Sequence, residues 1–321
     1  MPKAAEYVFP AAFILFFQKV IRMREKSRSK KWVLLWLLPA VAVLAMFYIV
    51  PIFNVIIYSF SNTSFFGEKI GGFTFNSYKT LFSSKTFIDV IKTTGVFVLA
   101  SVFFQLLFGF LSALAVVWGE NKGLRISPVI VRTIILSAWV LPGVAVGIVW
   151  KMLLSEANYG ILNYYIKLLI GEKIMFLSSP KWALFSVILA NIWRGTAFST
   201  IIQYGGLKQI PPELYEAAKI DGASSWKRLL YITIPQMKQM NFINLALITI
   251  YTFNTFDMIM ALTGGGPGRS TEVLSLYIYD KVFGQWSLST GAASAVVLLL
   301  INLIIVIFYY KAMKIGEISH A

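Results

Sequence analysis

The chain contains no cysteine and a single histidine, His320, next to the C-terminus. Disulfides and thiolate-held metals are therefore excluded, and zinc or haem finds almost no ligand. The lone histidine reads as a solvated tail residue, so a nucleophile–base pair has no base to work with. Charge is scarce too. Asp, Glu, Lys and Arg make up 13% of 321 residues, where soluble domains carry about 25%. Hydrophobic residues reach 58%, more than one water-bounded core can hide. Apolar runs long enough to cross about 30 Å of hydrocarbon recur along the chain, so its solvent is lipid. The net charge of +15 reads as positive flanks on a cytoplasmic face, and no nucleic-acid partner is expected.

Six apolar runs read as spanning helices, at about 33–58, 88–118, 129–152, 182–204, 238–262 and 291–311. The expected fold is an all-α membrane protein with both termini on one side. The positive-inside rule selects that side. With cytoplasmic termini, 18 of the 29 Lys and Arg fall on inner segments and 10 on outer ones, with Arg194 inside a span. Residues 1–31 form a basic N-terminal segment, 32–315 the membrane domain and 316–321 a tail. Residues 7–17 are too short to span, and their positive charge follows rather than precedes them, unlike a signal peptide. They read as an interfacial segment; the alternative is that Met23 is the natural first residue.

The island at 205–236 is polar between apolar spans, and the topology puts it in the cytoplasm. Pro211-Pro212-Glu213 reads as a helix start. Leu214, Ala217 and Ala218 share a narrow face, and Asp221-Gly222 reads as a left-handed stop. Ser224 or Ser225 then caps a second helix with Trp226, Leu229 and Leu230 on its apolar face, ended by Pro235. The result is a rigid, exposed knob.

This island resembles the signature loop of ABC importer permeases. The spaced pattern is met at Glu216, Ala217, Ala218, Gly222, Ile232 and Pro235, with Ile234 where leucine is usual. Leu262-Thr263-Gly264-Gly265-Gly266-Pro267 and Asn191-Ile192-Trp193-Arg194-Gly195 are similar to the carbohydrate-uptake branch, in the subunit type of the larger maltose permease and first glycerol-phosphate permease subunits. The resemblance covers about 32–315. It implies the type I importer permease fold and a place in the plasma membrane of a bacterium or archaeon. Its implied partners are a second homologous permease, a cytoplasmic ATPase dimer docked on the signature loop, and an extracellular solute-binding protein. ATP and magnesium would be bound by the ATPase, leaving no cofactor and no metal on this chain. The glycine run at 264–268 does not make a phosphate loop, because no lysine follows it and Thr263 stands where the first glycine is needed. The implied function is ATP-driven sugar or oligosaccharide import by alternating access. Glycerol-phosphate esters or polyols are the alternative cargo. A stand-alone channel or intramembrane enzyme lacks the charge rings or buried acids that such proteins need.

The resemblance also implies solute contacts. Carried over without gaps from Glu216 and Pro235, the sugar-holding positions fall on Arg194, Gly195 and Phe198 in the fourth span. In the fifth they fall on Ile248, Tyr251, Thr252 and Thr255, which share about one helical face. Asn254 and Asp257, elsewhere on that helix, are secondary candidates. Ordinary helix packing remains the alternative for this stripe. Threonines replace amides at 252 and 255, so the cargo expected is a glycan other than maltose. Arg194 is the basic residue well inside a span, and Asp257 is an acid near the outer end of the fifth. Either they pair or Arg194 snorkels inward, or else Arg194 lines the pathway and meets a carboxylate on a uronate-containing solute.

Overall fold

The computed structural model describes residues 30–63, 69–123 and 128–318. The segment at 7–17, Met23 and His320 lie outside the described residues. The chain divides into two compact units at residues 57 and 58.

The first unit is helical. α1 (Lys30–Leu44) passes through a π-helical turn at Ala45–Ile49 into α2 (Val50–Ser59). Pro39 sits inside α1 without ending it.

The second unit begins with a departure from the all-α expectation. Residues 59–87 carry an antiparallel hairpin, β1 (Ser61–Thr63) and β2 (Lys69–Phe73), then α3 (Asn76–Ser83). Phe60 stacks on Phe73 at 5.1 Å and meets Phe75 edge-on at 5.3 Å, so an aromatic cluster holds the hairpin. The long elements are α4 (Lys85–Asn121), α8 (Pro180–Leu207) and α15 (Leu288–Ile318). At 37 residues, α4 is about 55 Å long, more than a bilayer's hydrocarbon core.

Two of the expected spans are broken. The third divides into α5 (Pro128–Val140) and α6 (Gly143–Leu154), which meet at 95°. Pro142 holds ψ at 138°, and residues before a proline avoid the helical region, so the helix restarts at Gly143. The fifth divides into α12 (Lys238–Phe253) and the short α13 (Asp257–Leu262). Among the described residues, four helices are long and apolar enough to cross a membrane, five if the bent pair counts as one. The 16-residue α12 spans only about 24 Å.

Small residues set the packing. Gly109 faces Ser199 and Gly195 faces Gln105 so closely that a methyl at either glycine would overlap its neighbour. This brings α4 and α8 together, as small residues do between membrane helices. Amide groups bridge the seam: Gln105 Nε2 donates to the Asn191 carbonyl at 3.0 Å, and Gln203 Nε2 to that of Leu106 at 3.1 Å. Gly143 and Gly147, one turn apart, pack α6 on α13 in the same way. The main core joins Phe97, Val102, Val146, Val187, Ile248 and Ile259 from these five helices.

Two connections are built by polar clamps. α7 (Ile161–Ile170) is pinned by the buried Asn163, whose Nδ2 donates to the carbonyls of Ser155 and Ile174 at 3.1 and 3.0 Å. Glu156 accepts from the backbone amides of Leu177 and Ser178 and from the Ser178 hydroxyl. The glycine run of the last connection is a tight turn, with positive φ at Gly264, Gly265 and Gly268.

Candidate functional site

Helix breaks and glycine contacts leave a cavity of about 230 Å³ between α4, α5, α8, α12 and α13. All nine residues read from the sequence as pathway candidates line it: Arg194, Gly195, Phe198, Ile248, Tyr251, Thr252, Asn254, Thr255 and Asp257. Asn254 and Asp257 reach it for a different reason than their sequence position suggests. They do not continue α12: Asn254 caps its end and Asp257 opens α13. The break is held by Ser275, whose hydroxyl donates to the Thr255 carbonyl at 2.6 Å.

Sequence reasoning missed Gln105, Trp139 and Asn191. Trp139 completes a ring of aromatic faces, lying 4.6 Å from Phe198 and 5.2 Å from Tyr251, with those two 5.4 Å apart. Its signal was present as a tryptophan three residues before the Pro142-Gly143 break. Asn191 stood in a motif already noted, one turn from Arg194.

Arg194 stacks over Trp139 at 5.6 Å, and its nearest anion is Asp257 at 3.8 Å. The two charges thus attract across a gap wider than a hydrogen bond, and Arg194 also lines the cavity, so features of both sequence readings are present. Asp257 Oδ1 accepts from the Met258 amide at 2.9 Å, and its carboxylate lies against Gly143 where no side chain fits. Gly195 itself is spoken for by Gln105, so it shapes the wall by its smallness.

The polar island forms the knob expected of it. α9 (Pro212–Ile220) starts on proline, with Glu213 in its first turn and Lys219 in its last. Gly222 has φ of 74°, and the stop is a Schellman motif: Ala223 N–H to Ala218 O at 2.8 Å and Gly222 N–H to Lys219 O at 3.1 Å. Ser224 caps α10 (Ser225–Arg228) by accepting from the Lys227 amide. Pro235, however, does not end the second helix. A π-helical turn at Leu229–Thr233 leads into α11 (Ile234–Gln236), where Pro235 sits in the first turn and needs no amide. Glu216 and Ala217 are exposed, Ala218 and Ile232 half-buried, and Trp226 is 67% exposed. The knob's base is anchored by Leu207, Ile210 and Met237, with Tyr215 and Ile232 packed on them. Tyr215 and Thr233 share a hydrogen bond of 2.9 Å across the two helices.

Broken and continuous apolar helices packed around a small polar-and-aromatic cavity, with an exposed helical knob, are the build of a polytopic membrane transporter subunit. The chain belongs to the family of binding-protein-dependent transport system inner membrane components, whose pattern matches residues 28–312. It is a multi-pass membrane permease subunit and not itself an enzyme. It is 32% identical over 258 residues to the trehalose/maltose transport system permease protein of Thermococcus litoralis, covering 79% of this chain and 84% of that one. It is 30% identical over 293 residues to the sulfoquinovosyl glycerol transport system permease protein of Agrobacterium fabrum, covering 86% and 92%. Its fold matches a chain of a bacterial ABC transporter involved in import of the acidic polysaccharide alginate, with a TM-score of 0.78 over 91% of this chain and 98% of that one, at 24% identity. The type I importer permease fold is thereby shared.

Proposed function

We propose that this chain is one of two permease subunits of an ATP-driven importer of a sugar or oligosaccharide. The observation that carries the cargo is the ring of Trp139, Phe198 and Tyr251 beside Gln105, Asn191, Thr252 and Thr255. Aromatic faces suit the C–H surface of a pyranose, and amides and hydroxyls suit its hydroxyl groups. A volume of about 230 Å³ is below the roughly 300–1,000 Å³ of complete ligand pockets. The second permease would supply the facing wall, and each subunit would cross the membrane six times with cytoplasmic termini.

The knob at Glu216–Pro235 is where a cytoplasmic ATPase dimer would dock, and that dimer, not this chain, would hold ATP and magnesium. An extracellular solute-binding protein would deliver the sugar to the opposite face. ATP-driven closure of the ATPases would move the knob, and the cavity would alternate between outward and inward access.

Glu216→Lys in the assembled transporter should abolish sugar uptake while the complex still forms; normal uptake overturns the docking role. Uptake into proteoliposomes of neutral oligosaccharides, uronate-containing oligosaccharides and glycerol phosphate tests the cargo. Saturable uptake of either sugar class supports the proposal. Uptake of glycerol phosphate alone transfers the cavity to the alternative cargo.

A further inference from the structure

Kinship leaves the charge of the solute open, because relatives are named both for trehalose/maltose and for sulfoquinovosyl glycerol. The cavity itself carries more information. Arg194 has five N–H donors in a planar fork, and its side chain is only 21% exposed. Among the described residues it makes no hydrogen bond: Asp257 stands off at 3.8 Å, and Nε is buried without a partner. That separation exceeds a hydrogen bond, so the two groups attract through space while the fork stays empty. One helical turn away, Asn191 is 5% exposed and its Nδ2 also lacks an acceptor. Arg194 Nε and Asn191 Nδ2 are thus buried donors without an acceptor among the described residues, on two residues that line the same cavity, while the terminal nitrogens of the Arg194 fork are not buried and carry no hydrogen bond. Native structures rarely leave such donors unfilled.

Asp257 is poorly placed to fill the gap. Its Oδ1 is held by the Met258 amide, and the carboxylate is wedged against Gly143. It is also 44% exposed, in contact with whatever fills the cavity. The Trp139 ring lies 5.6 Å from the guanidinium carbon, within cation–π reach.

We infer that the acceptor this fork awaits is an oxyanion carried by the sugar, a carboxylate or a sulfonate, received by the Arg194 guanidinium. Asp257 is a tethered counter-charge that keeps the empty cavity electrically balanced and competes with the solute's anion. The inference rests on the carbohydrate reading and names the sugar's charge.

The test is equilibrium binding to the complete transporter in nanodiscs. Three probes are used: trigalacturonate, a sulfonated glucoside and neutral maltotriose. Wild type should bind an acidic probe more tightly than maltotriose, and the acidic arm that wins identifies the oxyanion. Arg194→Gln should weaken that acidic probe about tenfold more than maltotriose, since a charge-assisted fork is lost only to the anion. Arg194→Lys keeps the charge without the fork and should fall between the two. Asp257→Asn retains an oxygen that can accept from the Met258 amide and should tighten acidic binding about threefold or more by removing like-charge competition. Equal losses for acidic and neutral probes in Arg194→Gln, or weaker acidic binding in Asp257→Asn, overturn the inference and leave Arg194 a structural partner of Asp257. Preference for maltotriose in the wild type overturns the inference alone. Binding of none of the probes, with no sugar uptake, overturns the carbohydrate reading as well.

Discussion

The knob and the cavity are built by opposite means. The devices that start, stop and cap the knob's helices lie within residues 211–237, a proline start, a glycine stop, a serine cap and a π-helical turn, and only its anchoring base draws on residues outside them. The cavity draws on residues from Gln105 to Asp257, brought together across five helices. A locally specified device can change one property at a time. A cavity set by glycine-close helix packing answers to changes anywhere along the seam.

The largest effect should come from the seam. Gly147→Val places a branched side chain on the Met258 carbonyl and the Ala261 methyl, costing about 3 kcal/mol through overpacking. Its thermal unfolding transition should fall sharply and assembly should suffer. Tolerance of valine would show that α6 and α13 can slide apart, dissolving the contrast with the knob. Gly222→Ala comes next, because a methyl in the left-handed conformation costs about 1–2 kcal/mol. Sugar binding should persist while sugar-stimulated ATPase activity drops; loss of binding would tie the knob to the cavity. Trp139→Ala should weaken sugar binding by about 1 kcal/mol, the order of one aromatic contact, in a titration calorimeter. The smallest effect lies at Glu156. Burial raises its pKa, but bonds from the Ser178 hydroxyl and the Ser178 and Leu177 amides outweigh it and hold the carboxyl below its ordinary 4.5. Its stabilisation is thus complete above that value and lost as pH falls through the lowered folded value. Glu156→Gln should lower the melting temperature at neutral pH and converge with wild type in acid. A constant gap at every pH would remove Glu156 from the clamp.

The contrast also explains what the sequence revealed. Gly222 and Ser224 announce themselves because caps are local chemistry. Pro235 misled because the π-helical turn before it shifts the ladder, so a proline that normally closes a helix sits at a helical start. The break at 254–256 has no proline or glycine to mark it; it is held open by Ser275, twenty residues further on. The 95° corner at Pro142-Gly143 was visible as composition, but its angle depends on α13 lying against Gly143 and Gly147. Trp139 and Gln105 joined the cavity only once α5 and α4 were folded against α8. The hairpin at 61–73 was hidden by glycines in β2 and is secured by phenylalanines outside any alternating pattern.

From Ser225 the chain runs through α10, the π-helical turn, α11 and α12 to Phe253 with only Met237 departing from regular helix. That path is about 40 Å long. One end carries the exposed Trp226, and the other stops at Asn254 on the cavity wall. Such a run behaves as a connecting rod. With an ATPase docked as proposed, a push at the knob would reach Tyr251, Thr252 and Asn254 with only the turn at Met237 between, and the break at residues 254–256 would be the bearing where the stroke ends.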